Sequence, residues 1–388
     1  ENKEEFEHNF PADFICEGID QTRGWFYSLM AISTFIMGRA PYKNVLVNDL
    51  ILDAHGKKMS KHVGNTISPF EMFDKYGADA VRWYMLSVSP AWAPTKFDEE
   101  GLKEVASKFF GTLKNIYNFF ILYANSDMLE REDFTGKNAP EIEKRPLLDR
   151  WIISKYQKLI RTVTDAMDDY DHMHTVKAIQ EFVSEDFSNW YIRRARRRFY
   201  ESEMTDSKRS VYATAYEILA GVLKLMAPIA PYITDEIYVK LTGEDTVHTK
   251  LMPKFDEAFI DEKVEERMDL ARDLVTLGHS TRQKEKIKVR QPLSYMIVDG
   301  KYKEILGDLT EIILEELNIK EVRFADDLSQ FMQFSLKPNF KEIGKIMGKS
   351  VGDFGKAIDK MDAGEVASRV NSGKTVTVEL SNGETIEA

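Results

Sequence analysis

The sequence predicts a multidomain chain of the α/β plus all-α class: an α/β segment, a purely helical one, then a small α+β region. Three observations carry this order. Residues 11 to about 100 alternate short apolar runs with a helical pattern, punctuated by glycine and proline. From Leu147 to about Lys240, apolar residues recur at helical spacing with no strand signal. From about residue 264 the pattern mixes, and Asn382-Gly383 sits between two alternating runs as a hairpin turn would.

Within the first segment, Asp13-Phe14-Ile15-Cys16 reads as a short strand ending at Glu17-Gly18. An amphipathic helix follows, with Trp25, Phe26, Leu29, Met30, Ile32 and Phe35 on its apolar positions and Gly38 and Pro41 closing it. Val45-Leu46-Val47 and Leu50-Ile51-Leu52 are two more short strands. Strand, helix, strand is the unit of a parallel sheet, whose ligands sit beyond the carboxyl ends of the strands. Ser68-Pro69 with Glu71 caps the next helix, Tyr76-Gly77 ends it, and Asp79 to Val88 is another. A longer helix is predicted from about Asp98 to Tyr123, and a polar linker from Asn125 to Pro140.

The helical segment divides into Leu147 to Val163, His174 to Glu201, Val211 to Met226 and Tyr232 to Leu241, with Ala227-Pro228-Ile229-Ala230-Pro231 as the break. An antiparallel bundle is the economical arrangement. The last region should hold a helix from Val264 to Thr281, strands near Ile287–Val289 and Tyr295–Val298, a helix at Ala357–Met361 and the final hairpin. Domain limits follow at 1–97, 98–140, 141–263 and 264–388.

Composition excludes more than it identifies. A chain of 388 residues with 43% hydrophobic and 30% charged residues is an ordinary globular composition. No apolar run reaches the length of a membrane span, so no membrane partner is expected. The single cysteine, Cys16, rules out an internal disulfide and any multi-cysteine zinc site, and points to a reducing, cytoplasmic setting. Net charge is −11, but RNA is met by a local patch rather than by an average.

The densest chemical signal is Lys57 to Ile67, KKMSKHVGNTI. Lys58 and Lys61 flank Met59-Ser60 and lead into Gly64-Asn65. Ammonium groups around a small hydroxyl on a loop suit a mobile clamp on a polyphosphate. Glu17 and Asp20, at a strand end, could accept from an ammonium or a ribose, with Gly18 allowing close approach and Gln21 bridging. The competing account of Glu17 and Asp20 is an acid pair favoured by a helix N-terminus. Trp190 to Tyr200, WYIRRARRRFY, packs five arginines into six residues. Arg193 and Arg197 share a helical face near Trp190, with Arg194 and Arg198 adjoining, which suits RNA bases and phosphates. A salt-bridged face answering Glu185, Asp186, Glu201 and Glu203 is the alternative. A third cluster, Arg282, Lys284, Lys286, Lys288 and Arg290, would line one face of a strand, for an RNA backbone or as a guarded edge. Trp83, Trp92, Trp151 and Cys16 read as core, and His172 and His174 as too isolated for metal ligation.

KMSK followed by x-x-G-N resembles the KMSKS loop of class I aminoacyl-tRNA synthetases. Glu17 to Phe26, EGIDQTRGWF, and the arginine segment resemble the isoleucine branch of that family, as do TRQKEKIKVRQPL and, in its archaeal- and eukaryote-like branch, Leu336 to Lys341. The resemblance covers nearly the whole chain. It implies the C-terminal half of a Rossmann-like class I catalytic domain (1–97), stem-contact helices and a linker (98–140), a helical anticodon-binding bundle (141–263) and an α+β appendage (264–388). It implies ATP with Mg2+ and isoleucine as substrates and tRNA(Ile) as partner; the single cysteine leaves no zinc expected, and a monomer is expected. By resemblance Glu17 contacts the aminoacyl-adenylate and Lys61 is the loop lysine that binds ATP; Gly18, Asp20 and Gln21 are expected to bind substrate beside Glu17, Lys58 to act with Lys61 in catalysis, and Ser60 to join Lys61 on ATP. Trp190, Arg193, Arg194, Arg197, Arg198, Lys286, Lys288 and Arg290 bind tRNA. The family loop ends in serine where this chain has His62, which puts the tuning of the loop in question.

No H-x-G-H motif and no editing domain occurs here, and the chain opens on Glu1 and stops within a strand pattern. A fragment inactive by itself is therefore expected. A valine-synthetase fragment and a tRNA-binding module without catalysis are the alternatives.

Overall fold

The structure, a computed structural model, describes residues 2–328, 331, 336–339, 343, 351–371, 373–381, 383 and 385–387. Two compact units form, Glu1–Glu266 and Arg267–Ala388.

The first unit opens with helix α1 (Lys3–Asn9), strand β1 (Ala12–Gly18), helix α2 (Trp25–Met37) and strand β2 (Tyr42–Asn48). β1 and β2 pair in parallel, with Glu17 opposite Val47 and Gly18 opposite Asn48. This is the expected strand–helix–strand crossover. Gly38 ends α2 in the left-handed conformation that a residue without Cβ adopts freely. The helix is not amphipathic as expected. Its apolar residues run round the whole circumference, so Phe26 is buried against Tyr42 while Phe35 is 91% exposed. Cys16 is half-buried rather than core; its sulfur accepts from Asn48 Nδ2 at 3.2 Å.

Strand β3 (Ile51–Leu52) leads into the lysine loop and pairs in parallel with β4 (Thr95–Lys96). Helix α3 (Pro69–Tyr76) is capped by Ser68, which accepts from the Glu71 amide, and α4 (Ala78–Val88) follows. Trp83 is fully buried, but Trp92, on the loop before β4, is 56% exposed and not core.

Helices α5 (Glu99–Glu104) and α6 (Phe110–Ser126) are one rod joined by a π turn, Val105–Phe109. Helix α7 (Leu147–Asp168) runs to a turn before α8 (His172–Glu181). A π-helical stretch, Phe182–Ile192, carries α8 into α9 (Arg193–Tyr200). Helices α10 (Asp206–Met226) and α11 (Pro231–Thr242) complete the bundle, whose core holds Trp151, Phe187, Tyr191, Phe199 and Tyr212.

The proline-rich break between α10 and α11 has a structural role. Arg82 of α4 donates to the Ile229 and Pro228 carbonyls at 2.8 and 3.1 Å. The Asp79 carboxylate accepts from the Ile233 amide at 2.6 Å and the Tyr232 amide at 3.4 Å. A carboxylate from one helix thus satisfies the orphan amides of another helix's first turn, where Pro231 has none to offer. These contacts lock the segment after the lysine loop onto the bundle.

Helix α12 (Glu262–Lys284) passes from the first unit into the second. There β5 (Met296–Asp299) and β6 (Val322–Ala325) pair in parallel around α13 (Lys303–Leu306) and α14 (Thr310–Leu317). The predicted strand at Ile287–Val289 does not form. The chain turns there instead, because Arg282, 4% exposed, gathers the carbonyls of Lys288, Gln291, Leu317 and Asn318. The late helix runs as α15 (Val351–Ile358), earlier than the predicted Ala357–Met361, and α16 (Ala363–Asn371) follows. β7 (Thr377–Glu379) and β8 (Thr385–Glu387) pair antiparallel as the hairpin pattern requires, closing on Phe354 of α15. Asn382, Phe340 and Lys341 lie outside the described residues.

Candidate phosphate loop and nucleic-acid face

The lysine loop begins at the carboxyl end of β3 and Glu17 and Gly18 end β1; the two strands belong to separate two-stranded parallel sheets, and each end is where such a sheet presents its ligand side. An antiparallel bridge between Leu52 and Lys58 closes the loop's first limb. Within it, Asp53 Oδ1 accepts from the Lys57 and His55 amides at 2.8 and 3.0 Å. Asn65 ties the second limb to the first: its Oδ1 accepts from the Ser60 amide at 2.9 Å, and its Nδ2 donates to Asp53 Oδ2 at 2.8 Å. These hydrogen bonds, Asn65 first, hold the Asp53 carboxyl below its ordinary range. At the tip, the Val63 and Gly64 amides return to the Ser60 carbonyl, with Gly64 at φ +72°.

Lys58 and Lys61 are exposed on this scaffold, and among the described residues their ammonium groups have no ion pair or hydrogen bond. The Ser60 hydroxyl accepts from the His62 amide at 3.3 Å, which draws His62 into the tip. The sequence singled out Lys58, Ser60 and Lys61 but missed Asp53. The signal was there: an aspartate four residues before a loop amide, and an asparagine just past the glycine, are standard local acceptors.

At the end of β1, Glu17 accepts from the Gly18 amide at 3.1 Å. Gln21 Nε2 donates to Asp20 at 2.9 Å, and its Oε1 accepts from the Trp25 amide at 2.9 Å. Gln21 thus caps the start of α2. Asp20 is held beside Gln21 near the start of α2 while Glu17 ends β1, and all three face solvent or lie at its edge.

The arginine helix separates into two classes. Arg198 is structural. Its guanidinium grips Asp149 at 2.8 and 2.6 Å and also bonds Ser207 through side chain and carbonyl. Asp149 is fully buried and also accepts from the Tyr191 hydroxyl at 2.6 Å. Trp190 is 7% exposed and cannot stack a base from solution as expected. The π stretch is the reason: it places Trp190, Tyr191 and Ile192 side by side in the core, which uniform 100° spacing does not. Arg193 and Arg197 are exposed on α9 and Arg194 is half-buried; the Arg193 guanidinium lies 5.9 Å from the Trp190 ring.

Arg196 was not singled out from the sequence, yet it is the better candidate. It is exposed, lies 5.6 Å over the Phe119 ring, and has no hydrogen bond or ion pair among the described residues. Phe119 and Tyr123 of α6 and the exposed Tyr200 continue the surface, with Tyr123 and Tyr200 rings 4.9 Å apart. Helical spacing on α9 alone could not show aromatics supplied by α6.

Lys286, Lys288 and Arg290 do not form a strand face. Lys286 sits in a turn at φ +57°, and Lys288 and Arg290 follow in the turns that Arg282 organises. Among the described residues no group of three His, Cys, Asp or Glu could hold a metal ion, and no helix is long and apolar enough to cross a membrane.

Residues 1–98 match the model of tRNA synthetases class I (I, L, M and V), and residues 149–297 match the anticodon-binding domain of tRNA ligase. The chain is 44% identical to the isoleucine–tRNA ligase of Cytophaga hutchinsonii over 95% of its own length and 34% of that protein's. For the isoleucine–tRNA ligase of Clostridium novyi the figures are 43%, 98% and 36%. The chain thus carries a class I tRNA synthetase segment and an anticodon-binding domain of tRNA ligase. It spans about a third of the length of the curated relatives it matches. The lysine loop and the β1–α2 turn fall in the synthetase match, and the arginine helix in the anticodon-binding match. At the level of fold alone, 65% of the chain superposes on the LeuRS of an Agrobacterium radiobacter LeuRS-tRNA-LeuAMS complex, with a TM-score of 0.50, 21% identity and 29% of that chain covered. Mycobacterium tuberculosis methionyl-tRNA synthetase with methionyl-adenylate gives 60% coverage, 44% of that chain, a TM-score of 0.50 and 19% identity.

Proposed function

We propose that this chain supplies the lysine loop and the tRNA-binding helices of an isoleucine–tRNA ligase, which joins isoleucine to tRNA(Ile) at the expense of ATP. The observation that carries this is the pair of ammonium groups, Lys58 and Lys61, without a partner among the described residues, on a hydrogen-bonded loop beyond the end of a parallel strand. In such a site Lys58 and Lys61 neutralise the ATP phosphates and follow charge onto the leaving pyrophosphate. The Ser60 hydroxyl is near enough to the tip to add a donor. Glu17 and Asp20 accept from the isoleucine ammonium or the ribose, and Gly18 leaves room beside them. Mg2+ enters such a site with ATP, held mainly by the substrate's own phosphates.

Residues 1–97 then act as half of a Rossmann-like catalytic fold, and the bundle presents Arg193, Arg194, Arg196 and Arg197 to tRNA. Arg198 and Trp190 support that surface from within. Lys286, Lys288 and Arg290 offer charge to the RNA backbone from turns.

Filter binding of the chain to isoleucine tRNA and valine tRNA at two salt concentrations tests this. The expected result is a preference for isoleucine tRNA and a salt slope that falls by about 1 for each phosphate contact removed, as in Arg196→Ala with Arg197→Ala. In parallel, Lys58→Ala with Lys61→Ala should weaken binding of inorganic tripolyphosphate by at least about tenfold, which is 1.4 kcal/mol. Equal binding of both tRNAs, together with tripolyphosphate binding untouched by the lysine variant, would overturn the proposal.

A further inference from the structure

The lysines carry the charge in the loop, but two other side chains fix where that charge sits. Asn65 bonds both limbs: Ser60 N at 2.9 Å, Asp53 Oδ2 at 2.8 Å and the Lys58 carbonyl at 3.3 Å. Asp53 orders the first limb through the Lys57 and His55 amides, and its own amide donates to the Lys57 carbonyl at 2.9 Å. The backbone of Lys58 is thus held by its bridge to Leu52 and, more weakly, by Asn65, and that of Lys61 leaves directly from Ser60, which Asn65 holds. Nothing apolar substitutes for these bonds at the tip, where Val63 is 70% exposed.

We infer that Asp53 and Asn65 are a positioning pair, which sets the spacing of Lys58 and Lys61 and thereby the loop's affinity for a polyphosphate. The inference rests on the reading of the loop as a phosphate clamp. Neither residue touches the phosphate. Each acts through the backbone, so that two flexible ammonium stems start from fixed points and less freedom is lost on binding. Side-chain chemistry makes the pair directional. Asn65 must donate to Asp53 and accept from Ser60 at once, which an amide does and a carboxylate cannot. Asn65→Asp would set two carboxylates against each other at hydrogen-bond distance. Asp53→Asn combined with Asn65→Asp exchanges the roles: the new amide donates across the pair and still accepts the Lys57 and His55 amides, while the new carboxylate accepts from Ser60. Only the 3.3 Å bond to the Lys58 carbonyl is lost.

The test compares the wild-type chain, Asn65→Asp, the exchanged double variant and Lys58→Ala with Lys61→Ala. Amide hydrogen exchange over residues 53–65 reads the hold on the loop, and calorimetric titration with inorganic tripolyphosphate reads its consequence. Asn65→Asp is expected to speed exchange at Ser60 and Lys57 and to weaken tripolyphosphate by about fivefold or more, with the thermal melt of the helical bundle unchanged. The exchanged variant should recover most of both. Affinity and exchange in Asn65→Asp equal to wild type, or an exchanged variant no better than Asn65→Asp, would overturn the inference. A wild-type chain whose tripolyphosphate binding matches the double-alanine control would instead overturn the phosphate reading, and the affinity half of the inference with it. Loop exchange would then still decide whether the pair holds the loop.

Discussion

Arg198 and Arg196 lie two residues apart on one helix, and they should fail in opposite ways. Arg198 makes two hydrogen bonds to Asp149, which is completely shielded from water, and two more to Ser207. Arg198→Ala leaves the Asp149 carboxylate buried with a hydrogen bond from the Tyr191 hydroxyl but without the cation that pairs with it. Breaking a buried pair by removing one partner costs about 3–5 kcal/mol. At roughly 2–4 °C per kcal/mol for a unit of this size, the bundle's melting temperature should fall by about 6–20 °C. Arg196→Ala removes only an exposed cation–π contact worth about 0.5–1 kcal/mol, so its melt should drop by no more than about 4 °C. Melts followed by circular dichroism at 222 nm measure both. Filter binding to isoleucine tRNA, below either melting temperature, should then show the larger loss for Arg196→Ala. Replacing the whole pair, Arg198→Met with Asp149→Leu, should recover much of the lost stability, because the orphaned charge goes with it. Arg198→Ala melting within 2 °C of wild type while losing tRNA as Arg196→Ala does would refute the structural assignment.

Two further outcomes follow from packing and burial. A methyl added at Gly221 of α10 would lie 1.7 Å from the Tyr156 hydroxyl oxygen of α7, whereas one at Gly111 of α6 meets nothing within 4 Å. Gly221→Ala should destabilise by about 1–3 kcal/mol despite its better helix propensity, and Gly111→Ala should stabilise by about 0.5–1 kcal/mol; thermal melts of the two variants give the sign of each. Burial pushes the phenols of Tyr156, Tyr191 and Tyr212 well above their ordinary value, and that of Tyr238 up to about 12. Because these folded-state values are raised, the folded chain holds protons that the unfolded chain releases. Their contribution is complete below about pH 10 and is lost as pH rises through the folded values. Absorbance at 295 nm should therefore show a tyrosine fraction that ionises only with the loss of the helical signal.

Most of the elements were legible because they rest on local rules. Ser68-Pro69 caps a helix wherever it occurs, Gly38 ends one, and the alternation across Thr377–Leu380 and after Gly383 reads as a hairpin. Lys58 and Lys61 stood out through a local pattern too, the KMSK run before Gly64-Asn65; that their ammonium groups find no partner among the described residues is a fact of the fold. The limits of that reasoning show at α9. Regular helical spacing put Trp190 beside the exposed arginines, and the π stretch before α9 buried it.

The sequence by itself determined most of the longer helices, the first strand–helix–strand unit and the last hairpin, the family-like loop and the concentration of arginine after Trp190, since these depend on neighbours within a few residues. Tertiary structure alone decided which arginines serve the fold and which face solvent. Asp149 lies 49 residues before Arg198 in the chain, and Phe119, which Arg196 overlies, comes from a different helix. It also decided that Ile287–Val289 turns rather than extends, because Arg282 collects carbonyls as far along the chain as Leu317 and Asn318. Burial and partnership across such separations are set by how helices pack, and local periodicity carries no record of the partner.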